Sequence, residues 1–241
     1  ARPLRRAEER SQPVKGHLIV LEGLDGSGKA TQAGLLAQAL ERQGLPVRKI
    51  SFPNYESPAC EPVKMYLAGE FGQKPGDVNA YAASTFYAVD RYASFQKDWR
   101  AYYDDGGVVI ADRYTTSNGI HQCSKLPREE WDAYLDWLFE FEYEKLGIPE
   151  PEQVIYLQVD PQVSQALMTG RYQGDETRKD IHERDVEYLK ASRHAAEYCA
   201  DRFHWQRVRC DENGDMRPIE DIHREILALV LKHREESVRY Q

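Results

Sequence analysis

No CxxC pair occurs in this chain. Its four cysteines, Cys60, Cys123, Cys199 and Cys210, are far apart. That excludes a dithiol redox motif and the paired-thiolate spacing of a structural zinc site. The expectation is reduced thiols in a cytoplasmic protein. The seven histidines stand at no metal-ligand spacing from cysteine or from one another. No apolar run approaches the length of a membrane span. An excess of positive charge is also missing. The formal net charge is −8, which argues against a broad electrostatic grip on nucleic acid or on an anionic membrane. An anionic ligand must be held by a local basic pocket instead. Residues 1–16, "ARPLRRAEERSQPVKG", carry five basic and two acidic residues but lack the apolar centre of a signal peptide. We read them as a disordered tail ahead of a single domain over 17–241.

Of the 241 residues, 41% are hydrophobic and 30% charged, enough for a sizeable core in a soluble α/β protein. Short β-rich runs alternate with helical patterns. "HLIVLE" (17–22), "VRKISF" (47–52), "GVVIADR" (107–113), "QVIYLQV" (153–159) and "HWQRVR" (204–209) read as strands. The first, third and fourth are nearly continuous apolar runs, as in strands covered on both faces. Helical stretches lie at about 29–43, 58–70, 77–103, 128–146, 161–169, 181–201 and 218–233, with Pro127, Pro161 and Pro218 near helix starts, where a missing N–H costs little. The alternation predicts a parallel sheet with right-handed crossovers. Ligands of such sheets bind beyond the C-terminal strand ends. Residues 23–31, 52–55 and 112–122 should therefore surround one cleft.

The sharpest motif is "GLDGSGKAT": Gly23, Leu24, Asp25, Gly26, Ser27, Gly28, Lys29, Ala30 and Thr31. It follows a strand and opens a helix, the setting of a phosphate-binding loop. Its backbone amides form an anion nest, the helix start adds positive potential, and Lys29 reaches the β/γ oxygens. The hydroxyl that ordinarily follows the lysine and holds magnesium is absent, since Ala30 stands there. Thr31 points about 100° away on a helix. No guanine-reading NKxD is present, and "DDGG" (104–107) precedes its strand instead of following it, so a regulatory GTPase does not fit.

Six segments carry a family resemblance over residues 17 to about 233: "EGLDGSGKATQ" (22–32), "FPNYESP" (52–58), "YLAGEFG" (66–72), "FYAVDR" (86–91), "DRYTTSNGIHQ" (112–122) and "GRYQGDETRKDIHERD" (170–185). Together they resemble thymidylate kinases. The resemblance implies a three-layer α/β P-loop kinase fold with a five-stranded parallel sheet, helices on both faces and a mobile lid at about 170–182. It implies Mg2+ and ATP as donor, dTMP as acceptor, no nucleic-acid or membrane partner, and a homodimer.

The same resemblance distributes roles. Tyr87 stacks on thymine and Arg91, four residues on and so on the same helix face, bonds its carbonyl edge. A surface aromatic–arginine pair is the alternative. Arg113 holds the dTMP phosphate with its planar fork. Asn118 contacts thymine, and His121 and Gln122 border the sugar where an aromatic residue is usual. Phe52 lines the sugar–phosphate path. Asp25 serves the 3′-hydroxyl and, with Asp112, the metal, directly or through water. Gly26-Ser27 offers no arginine, so the lid supplies the transition-state cation. Arg178 is the first choice, then Arg171, while Arg184 belongs to the ATP side. Gly170 and Gly174 give the lid freedom to close. The aromatic stripe Trp131, Tyr134, Leu135, Leu138 and Phe141 is core or dimer face. "DENGD" (211–215) is a turn too short for calcium. Competing readings are a kinase of another deoxynucleotide or of a deoxynucleoside, and a nucleotide-binding module without turnover. A nucleoside kinase would leave Arg113 nothing to hold.

Overall fold

Along β1 (His17–Glu22) successive side chains alternate between two cores, as the two-residue period of a strand requires. Ile19 and Leu21 pack with Ala33, Leu36 and Leu40 of α1 (Lys29–Arg42) and with Ile222, Ile226 and Val230 of α9 (Ile219–Arg239). Leu18 and Val20 face the other way, onto Phe95, Trp99, Tyr103 and Tyr114. A strand buried on both faces can be apolar at every position, and this one nearly is. These contacts come from a computed structural model, which describes residues 15–171, 182 and 186–239.

The strands β1, β2 (Val47–Ser51), β3 (Val108–Asp112), β4 (Gln153–Gln158) and β5 (Gln206–Arg209) form one sheet in the order β2-β3-β1-β4-β5. Every pairing in it is parallel. Thus the expected α/β architecture is present, with helices on both faces. Strand β2 lies at an edge and exposes Arg48 and Lys49, charges that discourage pairing with another chain. The other helices are α2 (Glu61–Leu67), α3 (Ala80–Ser94), α4 (Arg100–Asp104), α5 (Thr115–Cys123), α6 (Trp131–Phe139), α7 (Pro161–Arg171) and α8 (Val186–Arg202). Lys15, read as part of the tail, pairs with Glu152 at 3.0 Å. Residues 1–14 lie outside the described residues.

Four details differ from the sequence reading. The stretch 77–103 is not one helix. A π-helical turn, Phe95–Trp99, separates α3 from α4. Residue periodicity does not distinguish a π turn from an α turn, since both keep the rings of Phe95 and Trp99 inward, 4.6 Å apart. The stretch 128–146 likewise begins with a 3₁₀ turn, Arg128–Glu130, and ends in a π turn, Glu140–Lys145. Residues Thr115–Cys123, outside the helical stretches expected from the sequence, form a helix, α5, all of whose residues are buried. Most of its side chains are polar although buried, so no apolar stripe marks it as a helix packed into the interior. The fifth strand-like run, 204–209, starts only at Gln206 because His204 sits in the left-handed region, φ 53°. Beyond it, β6 (Asp211–Glu212) and β7 (Asp215–Met216) make a hairpin. Asn213 and Gly214 have φ of 54° and 86°, as a primed turn requires. The acidic "DENGD" is that turn.

Candidate active site

The loop after β1 is shaped by its glycines. A Cβ on Gly23 would lie 2.7 Å from Ser27 Oγ and 2.8 Å from Leu157 O, so no other residue fits there. Gly28 has φ 85° and caps α1, with open space over its Cα. The first amides of α1 have no intrahelical partners, which suits an anion. Lys29 Nζ donates to Leu24 O at 2.8 Å, staying inside the loop. Burial and then the charge of Arg113 lower its pKa to about 8, against the pull of Asp25, Asp112 and Glu22. Ala30 and Thr31 are both exposed at the start of α1.

Arg113 is the hub. It follows β3 at φ 67°, a left-handed conformation that is uncommon outside glycine and costs free energy. The reversal sends its guanidinium back over the loop. NH2 donates to Asp25 Oδ1 at 2.6 Å, and NH1 to Gly23 O and Ser117 Oγ, both at 3.3 Å. Burial acts to raise the pKa of Asp25, but the cations of Arg113 and Lys29 prevail and hold it well below the usual carboxylate range. Conversely, Asp25, Glu22 and Asp112 keep Arg113 charged despite its burial.

Sequence reasoning missed Glu22. Its carboxylate is fully buried and accepts from Gly23 N at 3.0 Å, Thr116 Oγ1 at 2.8 Å and Ser117 Oγ at 2.8 Å. It also faces Arg113 NH1 at 3.7 Å. The available signal was a carboxylate at the end of a strand otherwise apolar on both faces. Asp112 stands opposite, at the end of β3, and its carboxylate has no hydrogen bond or ion pair among the described residues. Carboxylate oxygens there suit a hard cation. No group of three potential ligands occurs among the described residues, so Asp25 and Asp112 would supply only part of a magnesium shell.

Beside this hub lies a cleft lined by Phe52, Tyr87, Arg91, Asn118, His121 and Gln122, together with Asp25 and Arg113. All three segments expected at one cleft thus reach it. Phe52 and Pro53 are joined by a cis peptide, and Asn54 N donates to the buried Asp90 Oδ2 at 2.8 Å. Arg91 is not a surface residue. It is 1% exposed, and Nε and NH2 donate to Glu142 at 2.7 and 2.5 Å. Arg91 is thus inside the protein and not on its surface, while Tyr87 is half-buried. Asn118 Nδ2 donates to Ser84 O at 3.3 Å. Gln122 is fully buried, and neither side-chain amide atom has a partner among the described residues.

His121 is neutral. Burial first, then Arg113, lowers its pKa to about 3. Arg113 NH1 is 3.3 Å from its Nε2. Guanidinium only donates, so Nε2 accepts and the proton resides on Nδ1. The ring stacks on His182 and Tyr188, centroids 5.9 and 6.1 Å away. His182, also at the cleft, has Nε2 at 2.8 Å from Tyr66 Oη, which accepts from Lys125 Nζ at 2.6 Å. Neither His182, Tyr66 nor Lys125 was singled out from the sequence, where nothing local marks them.

The proposed lid cations are a different case. Arg178 and Arg184 lie outside the described residues, as does Gly174. Arg171 ends α7, which includes Gly170, and nothing further is described of its side chain.

Comparison with known proteins agrees with this geometry. A thymidylate kinase family profile matches residues 21–226. A thymidylate kinase of Mycobacterium tuberculosis is 34% identical over 175 residues, covering 70% of this chain and 79% of the relative. A probable thymidylate kinase of Pyrococcus horikoshii is 31% identical over 220 residues, 91% of this chain and 98% of its own. The thymidylate kinase of Schizosaccharomyces pombe is 27% identical over 220 residues, with 91% and 94% covered. Similarity this extensive, running through the loop, the Arg113 turn and the cleft alike, makes the chain a member of the thymidylate kinase family.

Proposed function

We propose that the protein transfers the γ-phosphoryl group of ATP to dTMP. A phosphate oxygen of dTMP attacks the γ-phosphorus in line, the bond to the β-phosphate oxygen breaks, and ADP and dTDP leave. Such transfer is mostly positioning and electrostatics. The loop amides and Lys29 hold the β- and γ-phosphates of ATP, with residues 23–31 as the binding segment. Arg113 orients the acceptor phosphate. Tyr87 stacks on thymine, Arg91 and Asn118 bond its polar edge, and Phe52, His121 and Gln122 border sugar and phosphate. Asp25 bonds the 3′-hydroxyl. Bound Mg2+, held by Asp25 and Asp112 with phosphate oxygens and water, would neutralise charge on the transferring group. Arg178 and Arg171 supply further positive charge, and Arg184 contacts ATP.

One observation carries this reading. Arg113 stands between the phosphate loop, through Asp25 at 2.6 Å, and the cleft bordered by Tyr87 and Arg91. A guanidinium at that junction is where an acceptor phosphate must sit to meet a donor phosphate in the loop. The test is ADP release with each nucleoside monophosphate in turn. dTMP should be the best acceptor, and comparable turnover of dCMP or purine nucleotides would sink the assignment.

The protein acts as a homodimer in the cytoplasm. Supporting observations are the exposed apolar row Tyr81, Val89 and Tyr92 on α3 and the four free, buried cysteines. No described helix is long and apolar enough to cross a membrane. Light scattering on the parent and a Val89→Glu variant tests the dimer: a monomeric parent overturns it.

A further inference from the structure

Arg91 and Glu142 form an ion pair in the interior, their side chains 2% and 0% exposed. The pairing is side-on. Nε donates to Oε2 at 2.7 Å and NH2 to Oε1 at 2.5 Å, which occupies one whole edge of the guanidinium. Oε2 takes a further donor, Thr115 Oγ1 at 2.8 Å from the first residue of α5. The carboxylate is thus held from two helices, and it in turn holds the plane of Arg91.

Burial of two charges is costly, and apolar residues of similar size often pack as well or better. What apolar residues cannot supply is a fixed donor direction. With Nε and NH2 committed to Glu142, the remaining contact of Arg91 among the described residues is NH1 to Tyr114 O, at 3.5 Å, the outer limit of a hydrogen bond. Arg91 lines the cleft one helical turn from Tyr87. An arginine on its flexible stem could swing aside for the wrong base. One clamped side-on by a carboxylate cannot.

We infer that Glu142 is a positioning residue for base selection, clamping Arg91 so that NH1 presents a fixed donor to position 4 of the pyrimidine. A carbonyl there is paired. An amino group would face another donor and leave both unsatisfied, which is how a polar site rejects an analogue strongly. The inference rests on the reading of Arg91 as a base contact in the proposed function.

The experiment measures kcat and KM for dTMP and dCMP, KM for ATP, and melting temperature, in the parent, Glu142→Gln and Thr115→Val. Glu142→Gln keeps one acceptor but loses the bidentate charge pair. Its dTMP-over-dCMP ratio of kcat/KM should fall about tenfold, mainly through KM for dTMP, with KM for ATP changed less than about twofold. Thr115→Val keeps the ion pair and frees one side of the carboxylate, so it should fold and shift the ratio in the same direction by less. If Glu142→Gln does not fold, Thr115→Val decides alone. An unchanged ratio in the folded variants, or equal losses on both nucleotides, would reduce Glu142 to a structural role and overturn the inference. A parent enzyme without preference for dTMP would instead remove the base-contact reading itself.

Discussion

Asp25 and Arg113 lie 88 positions apart in the chain and meet in an ion pair of 2.6 Å. One comes from the glycine loop after β1, the other from the left-handed turn after β3. The adjacent parallel strands β1 and β3 bring both turns to the same sheet end, with Leu21 in register with Asp112. The pair therefore couples the loop proposed to hold the donor phosphates to the residue proposed to hold the acceptor.

Replacement of Lys29 by alanine should abolish most turnover without unfolding the protein. Loss of a preorganised cation at the transferring phosphate is worth on the order of 10²–10³ in kcat. Burial has already lowered the pKa of this ammonium to about 8, so its charge is a cost to the folded state rather than a support. The variant should melt no lower than the parent. Steady-state kinetics beside a thermal melt checks both, and normal turnover would end the loop assignment.

The substitution at position 30 should matter little. A methyl group cannot ligate magnesium, and the carboxylates of Asp25 and Asp112 stand at the loop instead. Asp112→Asn should raise the magnesium concentration needed for half-maximal rate, while Ala30→Ser leaves activity intact or modestly strengthens metal dependence. The measurement is rate against free magnesium. A strong gain in Ala30→Ser together with an unaffected Asp112→Asn would contradict the arrangement.

Buried neutral histidines predict acid sensitivity. The pKa of His121 falls to about 3 and that of His17 to about 4, in both cases chiefly through burial. Below their unfolded value of about 6.5 the unfolded chain binds protons that the folded chain refuses. Stability therefore decreases as pH drops from about 6.5 towards 4, by up to about 1.4 kcal/mol per unit for each group. A His121→Asn variant should lose less stability than the parent over that interval, by about 3 kcal/mol. Urea unfolding at both ends of the interval gives the comparison, and equal losses would mean His121 is not kept neutral.

Arg178→Ala should lower kcat far more than it raises KM for dTMP. The motive is the absence of arginine at Gly26-Ser27, which leaves the developing charge to another cation, and charge that appears only in transfer affects kcat. An effect confined to KM would assign Arg178 to substrate binding.

Local chemistry determined a large part of this protein. The unbroken apolar runs of β1, β3 and β4, the glycines at 23, 26 and 28, and the Asp112-Arg113 ending of a strand each express a constraint met within a few residues, so they can be read without neighbours. The tertiary structure decided the rest. Helix α5 carries no apolar stripe because its buried side chains are mostly polar, with Thr115, Thr116 and Ser117 bonded to the distant Glu142 and Glu22. Glu22 is marked only by its place at the end of an apolar strand, and Glu142 looks like an ordinary acidic residue in the sequence. Their partners lie 94 positions away at Thr116 and 51 away at Arg91. The burial of Arg91 could not be inferred from its spacing to Tyr87 for the same reason. Whether a charge is solvated, paired or buried depends on which distant segments fold against it, and that information resides in the packing of α3, α5 and the π turn after α6 against the sheet, not in the order of residues along any one of them.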